Sequence, residues 1–240
     1  MNGRRWMHLA EDLTDQSPVS PGVELLELLV FLSLIVPSMI LSLFVVQQGG
    51  SFDLIASATI LRDLSLVGLI LFFLWRNHEP RTRIGWTLRM ARREIAFGIA
   101  VYIPLFLLTT CLAALLRLLG FSGTPKALQS MLTPRGPAEF ALAVFLVVIV
   151  AVAEETIFRG YLILRLRSLT GSNAAAVVLS AVIFSVGHGY EGAAGVVTVG
   201  VLGLAFAVIY LSRRSLVAPV AMHFLQDFLG MVLLPLLNHK

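Results

Sequence analysis

The sequence predicts an all-α protein, a polytopic transmembrane bundle of about seven to eight helices. Three observations carry that reading. The chain has 240 residues, 58% hydrophobic and 13% charged, where a soluble domain carries about 25% charged residues. Its apolar residues gather in runs near the ~20 residues a bilayer crossing needs. Its charges are concentrated in short segments between those runs. One bundle accounts for the length, so 1–240 reads as a single membrane domain. The one cysteine, Cys111, lies in an apolar run, which excludes a disulfide framework and a cysteine-based metal site. The formal charge of +4 sits in a few loops. It reads as a topology signal rather than a nucleic-acid-binding surface.

Taken in order, residues 1–22 form a polar N-terminal segment containing Glu11, Asp12 and Asp15. No cleaved signal peptide is expected there. Spans then fall at roughly 23–47, 53–75, 95–119, 138–163, 173–188, 193–212 and 215–237. Span two contains Arg62 and Asp63, adjacent and so directed to different faces; they either pair with other helices or mark a break. Span five is short for a full crossing. Glu24 and Glu27 begin span one, where both can stay in the interface. Gly195, Gly200 and Gly203 in span six suit close helix packing. No soluble domain is expected before or after the bundle.

The loops set an orientation. Between spans two and three lie Arg76, Arg81, Arg83, Arg89, Arg92 and Arg93. Basic loops face the cytoplasm, so spans one and two form a hairpin with the N-terminus inside. Arg165 and Arg167, then Arg213 and Arg214, fall on the same side. The 120–136 loop and the C-terminus then lie outside. The expected location is the cell membrane, multi-pass, with the lipid bilayer as constant partner.

Chemistry concentrates in the second half. Glu154 and Glu155 follow an uncharged run from Phe140 to Ala153. Placing an acidic side chain at bilayer depth costs roughly 2.5–3.5 kcal/mol on insertion scales, which makes such residues functional candidates. Residues four apart share a helix face, so Glu155 and Arg159 can pair. Glu154, rotated by ~100° from Glu155, is free to face the bundle interior. His188 closes span five four residues after Phe184, which reads as packing beside it. His223 and Asp227, again four apart in span seven, can point at one centre. Glu as base for a water, His as metal ligand or proton shuttle, and His with Asp for an oxyanion make a competent set. Bland roles compete: Glu155 with Arg159 as a structural ion pair, and Asp227 as the group that orients His223.

The three motifs, Glu154-Glu155-x-x-x-Arg159, Phe184-x-x-x-His188 and His223-x-x-x-Asp227, resemble those of the CAAX-protease and bacteriocin-processing family (CPBP, also called Abi). The match covers about residues 138–230, and 138–237 would be the catalytic core. The resemblance implies an intramembrane endopeptidase that cleaves a membrane-associated protein or peptide. Glu154 would activate water with His188; His223 and position 227 would bind a metal or the oxyanion. Glu155 and Arg159 complete the catalytic set. The resemblance leaves open a metal such as Zn2+, which would draw on Glu154, His188, His223 and Asp227, or a glutamate-activated water alone. Position 227 is Asp here and Asn in the CAAX enzymes; an anionic oxygen is the better metal ligand. Two rival readings are a non-proteolytic membrane immunity, chaperone or partner-binding protein, and a metal transporter. By simple counting the depths of Glu154, His188 and His223 disagree unless span four continues as helix to about Ser168.

Overall fold

The computed structural model describes residues 19–48 and 50–238. Most of the polar segment expected over 1–22, including Glu11, Asp12 and Asp15, lies outside the described residues. Eight helices follow in order among them: α1 Pro21–Gln48, α2 Phe52–Arg76, α3 Ala91–Leu118, the short α4 Lys126–Met131, α5 Pro137–Thr170, α6 Asn173–Gly187, α7 Gly192–Arg213 and α8 Val217–Asn238. α1, α2, α3, α5, α7 and α8 are long and apolar enough to cross a membrane. This is an all-α bundle of a multi-pass membrane protein.

The helix ends have local causes. Ser51 caps α2 by accepting a hydrogen bond from the Leu54 amide, and Ser172 caps α6 through the Ala175 amide. Pro137 opens α5, where a missing N–H costs nothing. Gly171 ends α5 in the left-handed region. α2 is continuous through Arg62 and Asp63, so those residues do not break the span.

α5 is the axis of the site. It is α-helical to Glu154, π-helical from Glu155 to Leu162 and α-helical again to Thr170. A second π-helical stretch, Phe228–Leu233, follows Asp227 in α8. Wide π turns are rare and gather at functional sites; here one begins at Glu155 and the other directly after Asp227. The continuation of α5 to Thr170 also reconciles the depths. Gly160 lies beside Leu216, whose side chain a Cβ at Gly160 would meet at 3.5 Å. From that shared level Glu154 is six residues back along α5 and His223 seven residues on along α8. Both therefore sit ~9–10 Å deeper at 1.5 Å per residue. α6, at 15 residues, extends ~22 Å and so ends short of a ~30 Å hydrocarbon core.

The basic loops share one end of the bundle, and there the charges are paired. Arg165 is fully buried in α5. It reaches Glu24 and Glu27 of α1 at 3.5 and 3.2 Å, and it also bonds to Glu79 after α2. Arg76 pairs with Glu27 at 2.7 Å and Arg83 with Glu79 at 2.6 Å. Ser168 bonds to Glu24, and Asn77 donates to Glu27 at 2.8 Å. Glu24 and Glu27 are thus buried in protein rather than resting in the interface, because α5 carries a cation up to them. Arg213 and Glu94 likewise tie α7 to α3.

Glycine packing differs from expectation in part. Gly200 and Gly203 of α7 do face α6, against Ser185, Phe184 and Ala181. Gly195 instead abuts the neighbouring Glu191 side chain. Two closer approaches fall elsewhere. A Cβ at Gly160 would stand 2.8 Å from the Ile84 carbonyl oxygen, and one at Gly98 2.7 Å from that of Ala218. These contacts seat the 81–85 turn on α5 and α3 on α8.

Candidate active site

The π-helical turn of α5 presents Glu155 and Arg159 to α8 and α6. Arg159 Nη1 donates to Glu155 Oε1 at 2.8 Å, with both side chains buried. The guanidinium lies over the Phe184 ring at 4.2 Å and the Phe206 ring at 5.3 Å. Cation–π contact of that kind is strongest when the cation is desolvated. The Glu155–Arg159 pair read from the spacing is present, and the structure adds a third member. Glu155 Oε1 also accepts from His223 Nδ1 at 2.7 Å.

That bond fixes the His223 ring. Its other nitrogen, Nε2, faces Asp227 Oδ2 at 3.4 Å and Glu154 Oε2 at 3.7 Å. Asp227, less buried than His223, lies one turn further along α8. Phe184 serves the same centre with its edge: its centroid is 6.1 Å from His223, 4.7 Å from His188 and 4.9 Å from Phe158. It is a shared wall for Arg159, His188 and His223 rather than packing for one of them.

His188 Nδ1 lies 2.8 Å from the Phe184 carbonyl oxygen. A carbonyl only accepts, so Nδ1 carries the proton and Nε2 is left as the acceptor. His188 and Glu154 line one cavity with Arg62, Asp63, Gly187 and Tyr190. The cavity holds about 40 Å³, room for roughly two or three waters at ~10–15 Å³ each. Glu154 Oε2 is buried and has no hydrogen-bond partner among the described residues. A buried carboxylate oxygen without a protein partner is a place where a polar ligand or water belongs.

The six residues singled out from sequence therefore come together at the meeting of α5, α6 and α8. Arg62 and Asp63 join them from α2. Adjacency on a helix directs two side chains apart, yet the long Arg62 side chain folds back. Its Nε and Nη2 both lie 2.8 Å from Asp63 Oδ1, and Nη2 also lies 3.7 Å from Glu154 Oε1. The signal for these two residues was the cost of ionisable groups in a span; the helix pattern alone could not aim them.

Among the described residues no three His, Cys, Asp or Glu side chains stand where they could hold a metal ion. His223 Nδ1 is engaged by Glu155. Glu154, His188, His223 and Asp227 do not fit a metal as arranged here.

A buried carboxylate, two oriented imidazoles and a water-sized cavity together can hold and activate a water. Residues 136–229 match the family model described as Rce1-like, type II CAAX prenyl endopeptidase Rce1-like. Those residues contain all three motifs, and the match supports the resemblance to the CAAX-protease and bacteriocin-processing family. No curated protein and no solved structure matches the chain.

Proposed function

We propose that this protein is an intramembrane endopeptidase that uses Glu154 as general base for a hydrolytic water. The observation that carries the reading is the Glu154 carboxylate: buried, with Oε2 lacking a hydrogen-bond partner among the described residues, in a water-sized cavity shared with His188. Water held between Glu154 and the His188 Nε2 acceptor would give its proton to Glu154 as its oxygen attacks the scissile carbonyl. The negative charge that develops on the carbonyl oxygen would be met by His223 as the imidazolium, with Nδ1–H on Glu155 and Nε2–H on the Glu154 and Asp227 side of the site. The proton on Glu154 then passes to the leaving nitrogen, so one water divides between the new carboxylate and the new amine. Glu155 holds His223, Arg159 holds Glu155, and Asp227 adds a second constraint on the ring.

The substrate class we propose is a membrane-associated protein or peptide, reached from within the bilayer. The basic end of the bundle, with its arginine loops, would face the cytoplasm, which places the N-terminus there and the C-terminus opposite.

The test compares short peptides released from membranes carrying wild type and Glu154→Gln at matched levels. Peptides seen only with wild type are expected. Equal peptide pools from a folded variant would overturn the protease reading. One observation favours a rival: the cavity has room for water but not for a peptide. That suits a partner-binding or immunity protein that never opens, and equal pools would turn the assignment to it.

A further inference from the structure

We infer that Arg62 and Asp63 of α2 are part of the working site, with Arg62 as a positioning residue for Glu154 and Asp63 as the residue that aims Arg62. The inference rests on the hydrolytic reading above. It concerns residues outside the segment that matches the family model.

Glu154 has few cations to face. Arg159, five residues on, is committed to Glu155 and to two aromatic rings. Two other groups face its oxygens: Oε2 faces His223 Nε2 at 3.7 Å, and Oε1 faces Arg62 Nη2 at 3.7 Å. The two hold the carboxylate between α2 and α8 without a direct hydrogen bond to either, so neither blocks an oxygen that must take a proton.

Arg62 could not be aimed by its own helix, since a guanidinium on a flexible arm is free to turn toward any face. Asp63 removes that freedom. Its Oδ1 takes both Nε and Nη2 at 2.8 Å, which pins one edge of the planar fork and turns the rest toward the cavity. Asp63 itself is 1% exposed, and its Oδ2 has no partner among the described residues. A charged pair that only neutralised itself would put two costly groups at bilayer depth for no gain over two apolar residues. Both line the cavity that holds Glu154 and His188.

The experiment uses the full chain in detergent or proteoliposomes. Its reporter is an internally quenched peptide built on the cleavage site that the Glu154→Gln comparison reveals. Arg62→Gln is expected to lower kcat by about tenfold or more with KM changed less than about threefold, the signature of a contact that matters in the transition state. Arg62→Lys, which keeps the charge but not the fork, should fall between wild type and Arg62→Gln. Asp63→Asn should be slow as well, and Arg62→Gln/Asp63→Asn no slower than Arg62→Gln alone, because Asp63 acts through Arg62. Unfolding temperatures are measured on every variant. An Arg62→Gln rate within about twofold of wild type, or effects that multiply in the double variant, overturns the inference. If Arg62→Gln does not fold, the double variant, which leaves no lone buried charge, replaces it. A folded, slow double variant supports the inference; a wild-type rate, or a double variant that also fails to fold, overturns it. Loss of cleavage in Glu154→Gln with none in the Arg62 series sinks this inference alone, while retained cleavage in Glu154→Gln sinks the protease reading itself.

Discussion

Glu155 Oε1 accepts a hydrogen bond from His223 Nδ1 at 2.7 Å while holding Arg159 at 2.8 Å with the same oxygen. One carboxylate thereby orients the ring of α8 and neutralises the cation of its own helix. The two roles separate under substitution. Glu155→Gln keeps an acceptor of the same shape, so His223 stays oriented while the charge is lost. Loss of the carboxylate charge that supports the His223 imidazolium is expected to slow the reporter assay about tenfold or more with the fold retained. Glu155→Ala also leaves Arg159 buried and unpaired, a change that costs roughly 3–5 kcal/mol. That variant should melt well below Glu155→Gln in a thermal unfolding series. Equal stability of the two would show that the rings of Phe184 and Phe206 alone are enough to hold Arg159.

Arg165 anchors the basic end of the bundle by gathering Glu24, Glu27 and Glu79 from three separate parts of the chain. Its guanidinium uses both terminal nitrogens at once, a geometry that lysine lacks. Arg165→Met should lower stability by about 3–5 kcal/mol through the carboxylates it strands, and Arg165→Lys should recover only part of it. Thermal unfolding in detergent measures both. The site lies along α5 from this cluster, so variants that still fold should cleave the reporter at near wild-type rate. A folded Arg165→Lys with a lost rate would mean that the cluster does more than hold α1 against α5.

The comparison of sequence with structure follows from what each contact depends on. Span positions were legible because a bilayer fixes the length of an apolar run, and the shortness of span five survives as the 15 residues of α6. The pairs Glu155–Arg159, Phe184–His188 and His223–Asp227 were legible because four residues make one helical turn. Contacts between helices were not. Glu27 and Arg165 lie 138 residues apart, and no local period links them. Glu24, Glu27 and Arg165 therefore read as interface and loop charges until α5, longer than its apolar run, brings them together. Arg62 and Asp63 were noticed for their cost, yet helical angles set them on different faces; side-chain length, which angles ignore, folds Arg62 back. The π turn from Glu155 to Leu162 leaves no mark in an apolar pattern. Within this turn Glu155 bonds to both Arg159 and His223.

Chelators should have little effect. Glu154, His188, His223 and Asp227 do not stand as a metal site, and Glu154 with His188 can hold a water directly. Incubation with a strong Zn2+ chelator, followed by the reporter assay, is expected to leave the rate within about twofold of the untreated enzyme. Loss of activity that added Zn2+ restores would mean that the four side chains close around an ion during turnover, and that water is activated by a metal.

Gly187 stands at the end of α6 and lines the cavity of Glu154 and His188. A Cβ there would stand 2.5 Å from the Met39 Cε of α1. That atom is the flexible end of a methionine, which yields at small cost. The cavity cannot yield in the same way: at about 40 Å³, the branched side chain of valine takes up space that roughly two or three waters would use. Gly187→Val should therefore stop cleavage, with a fall of at least ~100-fold in kcat/KM, the scale of a misplaced reactant, while the unfolding temperature stays near wild type. Gly187→Ala, which adds one carbon, should fall between. A Gly187→Val protein that cleaves at full rate would show that the hydrolytic water approaches Glu154 from outside this cavity, and the roles of His188 and Arg62 would have to be reassigned with it.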